Sequence, residues 1–286
     1  MTATSAARDR RAVRGRVADA VGRLGPAGIT ALAVLLLLVV AALRPDLLAP
    51  GDPLAIAPAD AFQPPSAPHP FGTDESGRDI YTRVVHGTGP SVGIGVAATG
   101  IGIGAGLLLG FASGLGPRLL DAALGRIIEV LFALPTLVMA LLLVAVMGPG
   151  TGPAVLAIGA ATAPGYARIL RARVRGVAGS AYVEYARLEG TGRARVFLRH
   201  IAPNTLWPLV GVATLGIGQA IVWVSALSFL GFGTLPPSPE WGAMLNAGRV
   251  YIATAWWMTI FPGLAIVVTA TALTVLGRAV GGRRGR

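Results

Sequence analysis

Lysine is missing altogether: all 24 basic residues of the 286-residue chain are arginine. A Walker A loop needs a lysine to reach nucleotide phosphates, so the chain does not bind ATP in that way. Cysteine is absent too, which removes disulfides, thiolate nucleophiles and cysteine-ligated metals together. The three histidines, His69, His86 and His200, are scattered over different regions and do not read as one metal site. No Ser/His/Asp arrangement in motif form proposes nucleophilic catalysis. Charge is scarce, at 13% of residues.

Apolar residues fill the space, at 53% of the chain, and they come in blocks. Blocks of about 18 or more can cross a hydrocarbon core roughly 30 Å thick. Six are marked: 27–43, 89–113, 119–147, 153–170, 206–230 and 257–277, the fourth broken by Pro164-Gly165. They are too long for barrel strands, and backbone in lipid must be paired internally, so helices are expected. The fold class is therefore an all-α membrane protein with six transmembrane helices. A basic stretch precedes the first block, as in a secretory signal. Its apolar part, 29–43, is long for a signal and no small-residue cleavage site follows, so an uncleaved span is expected.

The net charge of +11 would suggest nucleic acid in a soluble protein. Here arginines flank apolar spans, where topology accounts for them. With both termini cytoplasmic, 20 arginines fall inside, and only Arg44, Arg78, Arg83 and Arg249 fall outside. The organisation expected is a basic cytoplasmic segment 1–26, a first transmembrane helix 27–43, and an extracytoplasmic proline-rich loop with the approach to span two, 44–88. A five-helix core 89–277 follows, containing a cytoplasmic loop 171–205, then a basic cytoplasmic tail 278–286. Membrane lipid is a partner and nucleic acid is not.

Within the core, Gly102, Gly106 and Gly110 form a ridge of small residues that suits close helix approach. Pro135 is expected to kink span three. Glu129, an ionisable residue in that span, is a pathway candidate by default, although a pair with Arg126 near the interface is the simpler reading. Trp223, Ser225 and Ser228 in span five are further pathway candidates. The other tryptophans, Trp207, Trp241, Trp256 and Trp257, suit interface anchoring. The stretch Gly72-Thr73-Asp74 followed by Gly77-Arg78-Asp79 clusters acids, but Arg78 opposes a cation and the spacing is not that of a calcium loop. A capped turn leading into span two is expected.

The segment 168–204 carries eight arginines and two acids. A short helix over 182–188 is predicted, with Ser180 available as N-cap and Gly190 stopping it in a left-handed conformation. A second helix is predicted from about Thr191 to His200, ended by Pro203. Ala186 leaves room for close contact with another protein. A basic segment lying on anionic headgroups explains the composition almost as well.

Glu184-x-Ala186-x-x-x-Gly190 with Ile201-x-Pro203 resembles the coupling loop of ATP-binding-cassette (ABC) importer permeases. The stretch 63–74 with Gly77-Arg78-Asp79, then 228–233, 236–244 and Phe261-Pro-Gly263, resembles the second permease subunit of the dipeptide, oligopeptide and nickel importers, and the likeness runs over about 27–277. Tyr185 and Glu189 depart from the pattern, which usually has alanine and an apolar residue there. The resemblance implies a type I ABC importer permease fold in a bacterial inner membrane. It implies a non-catalytic subunit that couples to ATPases through Tyr182, Glu184, Tyr185, Ala186, Gly190, Ile201 and Pro203. Implied partners are a second permease, one or two cytoplasmic ATPase chains that hold ATP and magnesium, and an extracytoplasmic substrate-binding protein. This chain would bind no cofactor itself. Peptide is the implied cargo, with nickel or another small solute as the alternative. An ATP-independent channel or secondary transporter would need midplane acids or an inverted repeat, and a membrane enzyme would need a catalytic cluster.

Overall fold

The structure, a computed structural model, describes residues 25–281. The sequence segments 1–24 and 282–286, which include the predicted basic N-terminal segment up to Arg23 and the tail arginines Arg283, Arg284 and Arg286, lie outside the described residues. The described chain is helical, and its strand-like pairing is a single bridge between Thr73 and Asp79. Four helices are long and apolar enough to cross a membrane, or five if one bent pair counts as a span.

Helix α1 (Gly25–Leu43) buries only Gly28, Ala31 and Ala41. Its leucines and valines, Leu36, Leu37 and Val39 among them, point outward. Such an apolar exterior is stable in lipid and not in water. Residues 44–79 form a compact loop with two single 3-10 turns, Pro45–Leu47 and Pro58–Asp60. Helix α2 (Ile80–Leu115) begins nine residues before the predicted span and is 36 residues long. The earlier start has a local cause: the Asp79 carboxylate accepts the Thr82 N–H at 2.8 Å and so caps the helix there.

The predicted third span is two helices, α3 (Arg118–Phe132) and α4 (Thr136–Met147), bent by 93° across Ala133-Leu134-Pro135. Proline ends α3 because the residue before it avoids the helical region. The predicted fourth span runs unbroken through Pro164 as α5 (Thr151–Ala178). Pro164 is buried there, where the neighbouring helices hold the backbone in place. The glycine ridge of α2 seats this helix. A Cβ on Gly106 would lie 2.6 Å from the Tyr166 Cβ, and one on Gly110 would lie 2.6 Å from the Leu170 Cβ.

Helix α6 (Ala181–Leu188) follows at one end, then α7 (Arg193–Val196), a π turn (Phe197–Ile201) and α8 (Ala202–Leu206). Pro203 therefore does not end the second loop helix. It sits in the first turn of α8, where no donor is required of it, and the π turn absorbs the missing bond through Ala202 N–H to Phe197 C=O. The bundle closes with α9 (Leu209–Phe229), α10 (Trp241–Gly248) and α11 (Trp257–Gly281).

Two apolar cores hold the bundle. Ile94, Ala98, Val144, Ile158 and Val224 join α2, α4, α5 and α9. Ile80, Ile221, Trp241, Met244, Trp257 and Ile266 join α2, α9, α10 and α11. Trp241 and Trp257 are thus core residues rather than interface anchors. Each indole N–H has a carbonyl inside the protein, Val84 at 2.9 Å and Thr73 at 2.9 Å, so neither needs a headgroup.

Candidate functional site

The two ends of the bundle are built differently. At one end the 63–79 loop is pinned by polar contacts. Asp74 accepts the N–H groups of Ser76 and Arg78 at 2.9 Å each, and Asp79 also meets His69 at 3.1 Å. Gly72 and Gly77 have φ of +73° and +75°. Any side chain on Gly77 would run into the Ala57 carbonyl, so glycine is required there on two counts. The expected capped turn is what Gly72, Thr73, Asp74, Gly77, Arg78 and Asp79 form. Sequence reasoning passed over Arg83, which is only 4% exposed. Its guanidinium donates to Pro53 and Pro237 at 3.1 Å and lies 3.7 Å from Asp74. One turn of α2 therefore holds three loop segments together.

Glu240, also buried, caps α10 by accepting the N–H groups of Gly242 at 2.8 Å and Ala243 at 2.9 Å. Burial pushes its carboxyl above the ordinary range, opposed by those two N–H groups and by the hydroxyls of Ser228 and Ser225. Ser225 and Ser228 are thus buried against that carboxyl.

At the opposite end, α6 stands on its own small core of Val174, Val183, Ala186, Val196 and Ile201, flanked by Phe111 and Phe197. Ala186, 7% exposed, and Ile201 face inward, so Ala186 supplies close packing within its own chain. Tyr182, Glu184, Tyr185 and Leu188 face outward. Ser180 occupies the N-cap position, but its hydroxyl donates back to the Val177 carbonyl at 2.6 Å and does not cap. Gly190 adopts the predicted left-handed conformation at φ +78°, and Pro203 is exposed in α8.

Between this end and the bundle lies a charge cluster that sequence reasoning missed. Asp121 of α3 meets Arg171 of α5 at 2.7 Å, pairs with Arg175, and accepts the Ser113 hydroxyl of α2 at 2.7 Å. Asp121 in a first helical turn and two arginines one helical turn apart were its only linear signals; 50 residues separate Asp121 from Arg171. The expected Arg126–Glu129 pair does not form: both side chains are exposed and no ion pair joins them among the described residues.

A cavity of about 740 Å3 opens where α3 turns into α4. Its walls are Leu131 to Thr136 at the bend, Ala161 to Ile169 in part on α5, and Gln219 with Trp223 on α9. Trp223 is the pathway candidate that reaches it; Glu129, Ser225 and Ser228 do not line it. No acid lines it either. The Arg168 guanidinium lies 5.2 Å from the centre of the Phe132 ring, a cation–π arrangement that orients it.

Known proteins match this sequence. Residues 102–286 match the family described as binding-protein-dependent transport system inner membrane component. The chain is 37% identical over 252 residues to a di/tripeptide transport system permease protein of Pseudomonas aeruginosa, which covers 86% of this chain and 83% of that one. It is 38% identical over 212 residues to a dipeptide transport system permease protein of Escherichia coli, with 74% and 71% covered. It is 37% identical over 213 residues to a glutathione transport system permease protein of Pectobacterium atrosepticum, again with 74% and 71% covered.

Proposed function

The chain belongs to the family of binding-protein-dependent transport system inner membrane components, and from that premise we propose that it forms half of the pathway of an ATP-driven peptide importer. It is a multi-pass membrane permease subunit, and the relatives' names support di- or oligopeptide as cargo. The other half of the pathway is a second permease. One or two cytoplasmic ATPase chains hold ATP and magnesium, and an extracytoplasmic binding protein delivers the cargo.

Six spans fit best: α1, α2, the bent α3–α4 pair, α5, α9 and α11. Helix α5 is less apolar than the others because α2, α4 and α9 cover much of its first half, so lipid does not demand a greasy surface of it. The balance of arginines supports cytoplasmic termini in a bacterial inner membrane. That puts α6 in the cytoplasm and the 63–79 loop outside.

The observation that carries the coupling role is the two-sidedness of α6. Val183 and Ala186 lock it to α5, while Tyr182, Glu184, Tyr185 and Leu188 project from it. A push on the projecting face moves α6 with α5. The Asp121 cluster passes that motion to α3, and the bend at Pro135 passes it to the cavity wall. The cargo contributes by binding the outward and inward states unequally.

Replacing the outward pair by Glu184→Arg with Tyr185→Ala tests this role. ATP-driven peptide uptake is expected to be abolished in proteoliposomes, while the chain still inserts and pairs with its partner permease. Uptake at the wild-type rate overturns the coupling role.

A further inference from the structure

On the reading of the chain as a peptide permease, we propose that the cavity at the α3–α4 bend binds the carboxylate of the cargo, with Arg168 as the group that receives it. Three observations lead there. The cavity's volume, about 740 Å3, lies within the range of small-ligand sites, roughly 300–1,000 Å3. Its polar lining groups are donors or neutral: Arg168, Tyr166, Gln219, Thr136, Thr162 and Trp223, with no carboxylate among them. Arg168 is also without an acid, as is Arg173 further along α5, whereas the two other arginines of that helix are paired. Arg171 and Arg175 are both taken up by Asp121, whereas no described carboxylate lies within ion-pair distance of Arg168.

A guanidinium presents a planar fork that fits a carboxylate through two parallel hydrogen bonds. The contact with Phe132 holds that plane at the cavity without consuming its donors. Tyr166, Gln219 and Trp223 add hydrogen-bonding groups that none of the described residues engages. The walls otherwise offer Leu131, Leu134, Ala161 and Ile169, which discriminate little between side chains. Such a site would grip the end that peptides share and tolerate the part in which they differ.

The test uses the assembled permease pair with its ATPases and binding protein in proteoliposomes. Uptake of a radiolabelled dipeptide is compared with that of its C-terminal amide, each supplied on saturating loaded binding protein. The wild-type acid-to-amide ratio is expected to be roughly tenfold, the effect of one charged hydrogen-bonded contact. It should fall close to one in Arg168→Gln and recover in part in Arg168→Lys, which keeps the charge and loses the fork. A ratio unchanged by Arg168→Gln overturns the proposal, and is the result expected if Arg168 merely reaches a lipid headgroup. Should Arg168→Gln fail to assemble, the wild-type ratio decides alone, and a value near one overturns it. Equal uptake of acid and amide leaves the peptide reading standing and removes the carboxylate site. Uptake of neither overturns the peptide reading, and the carboxylate site with it.

Discussion

The two ends of this molecule differ in how far they draw polar groups inside. At the 63–79 end, charged and aromatic side chains are drawn inside and given partners: Arg83 meets three backbone carbonyls and Asp74, Glu240 meets two N–H groups, and Trp241 and Trp257 each meet a carbonyl. At the α6 end, large apolar side chains are left outside, Tyr185 at 64%, Leu188 at 82% and Leu198 at 68% exposed. The first end ties its loops together within the chain, although Leu47, Ile56 and Val250 stay outside there too. The second is complete only on its inner side, as expected of a surface shaped for another protein.

The contrast is broken most severely at Arg83. Arg83→Ala leaves the Asp74 carboxylate short of a buried partner and frees three loop carbonyls, which should cost about 3 kcal/mol of stability. Unfolding of the purified protein in detergent measures it, and a loss below about 1 kcal/mol would show that this end is less closed than its contacts imply. Asp121→Ala comes next. It strands Arg171 and Arg175, but Arg175 is half exposed, so water screens part of the loss and about 1–2 kcal/mol is expected. Uptake should fall further than stability accounts for if the cluster carries motion from α5 to α3.

Glu240 gives a shallower test of the closed end through pH. Its folded carboxyl titrates above the ordinary 4.5 because burial disfavours the charge. The neutral form therefore adds stability below pH 4.5, and that contribution is lost as pH rises through the raised folded value. Melting temperature followed upward from pH 4.5 should decline in the wild type and do so less in Glu240→Gln. The smallest change in stability belongs to the open end: Leu188→Ser should stay within about 0.5 kcal/mol. The same variant should weaken co-purification of the ATPase. A large loss of stability instead would mean that α6 is part of the fold's interior.

How much of this was legible in the sequence follows from the range of the interactions. Block length and the absence of lysine and cysteine settled a helical membrane chain that does not bind ATP through a Walker A loop. Local chemistry, read within a few residues, placed the capped turn before span two, the left-handed Gly190 and the α6 helix, and it gave a kink at Pro135 where the chain breaks into two helices. Glycines spaced at one helical turn marked the face of α2 that receives α5. Motif spacing located the segment on which the coupling proposal rests.

What the sequence left open depended on partners far along the chain. Ala186 turns inward because Val174, Val196 and Ile201 converge on it. Ser225 and Ser228 are occupied because Glu240 is folded against them. Asp121 finds Arg171 only across 50 residues. Linear spacing tells which way a side chain points from its helix, but not what stands there; only the packing of α2, α3, α5 and α9 decided that.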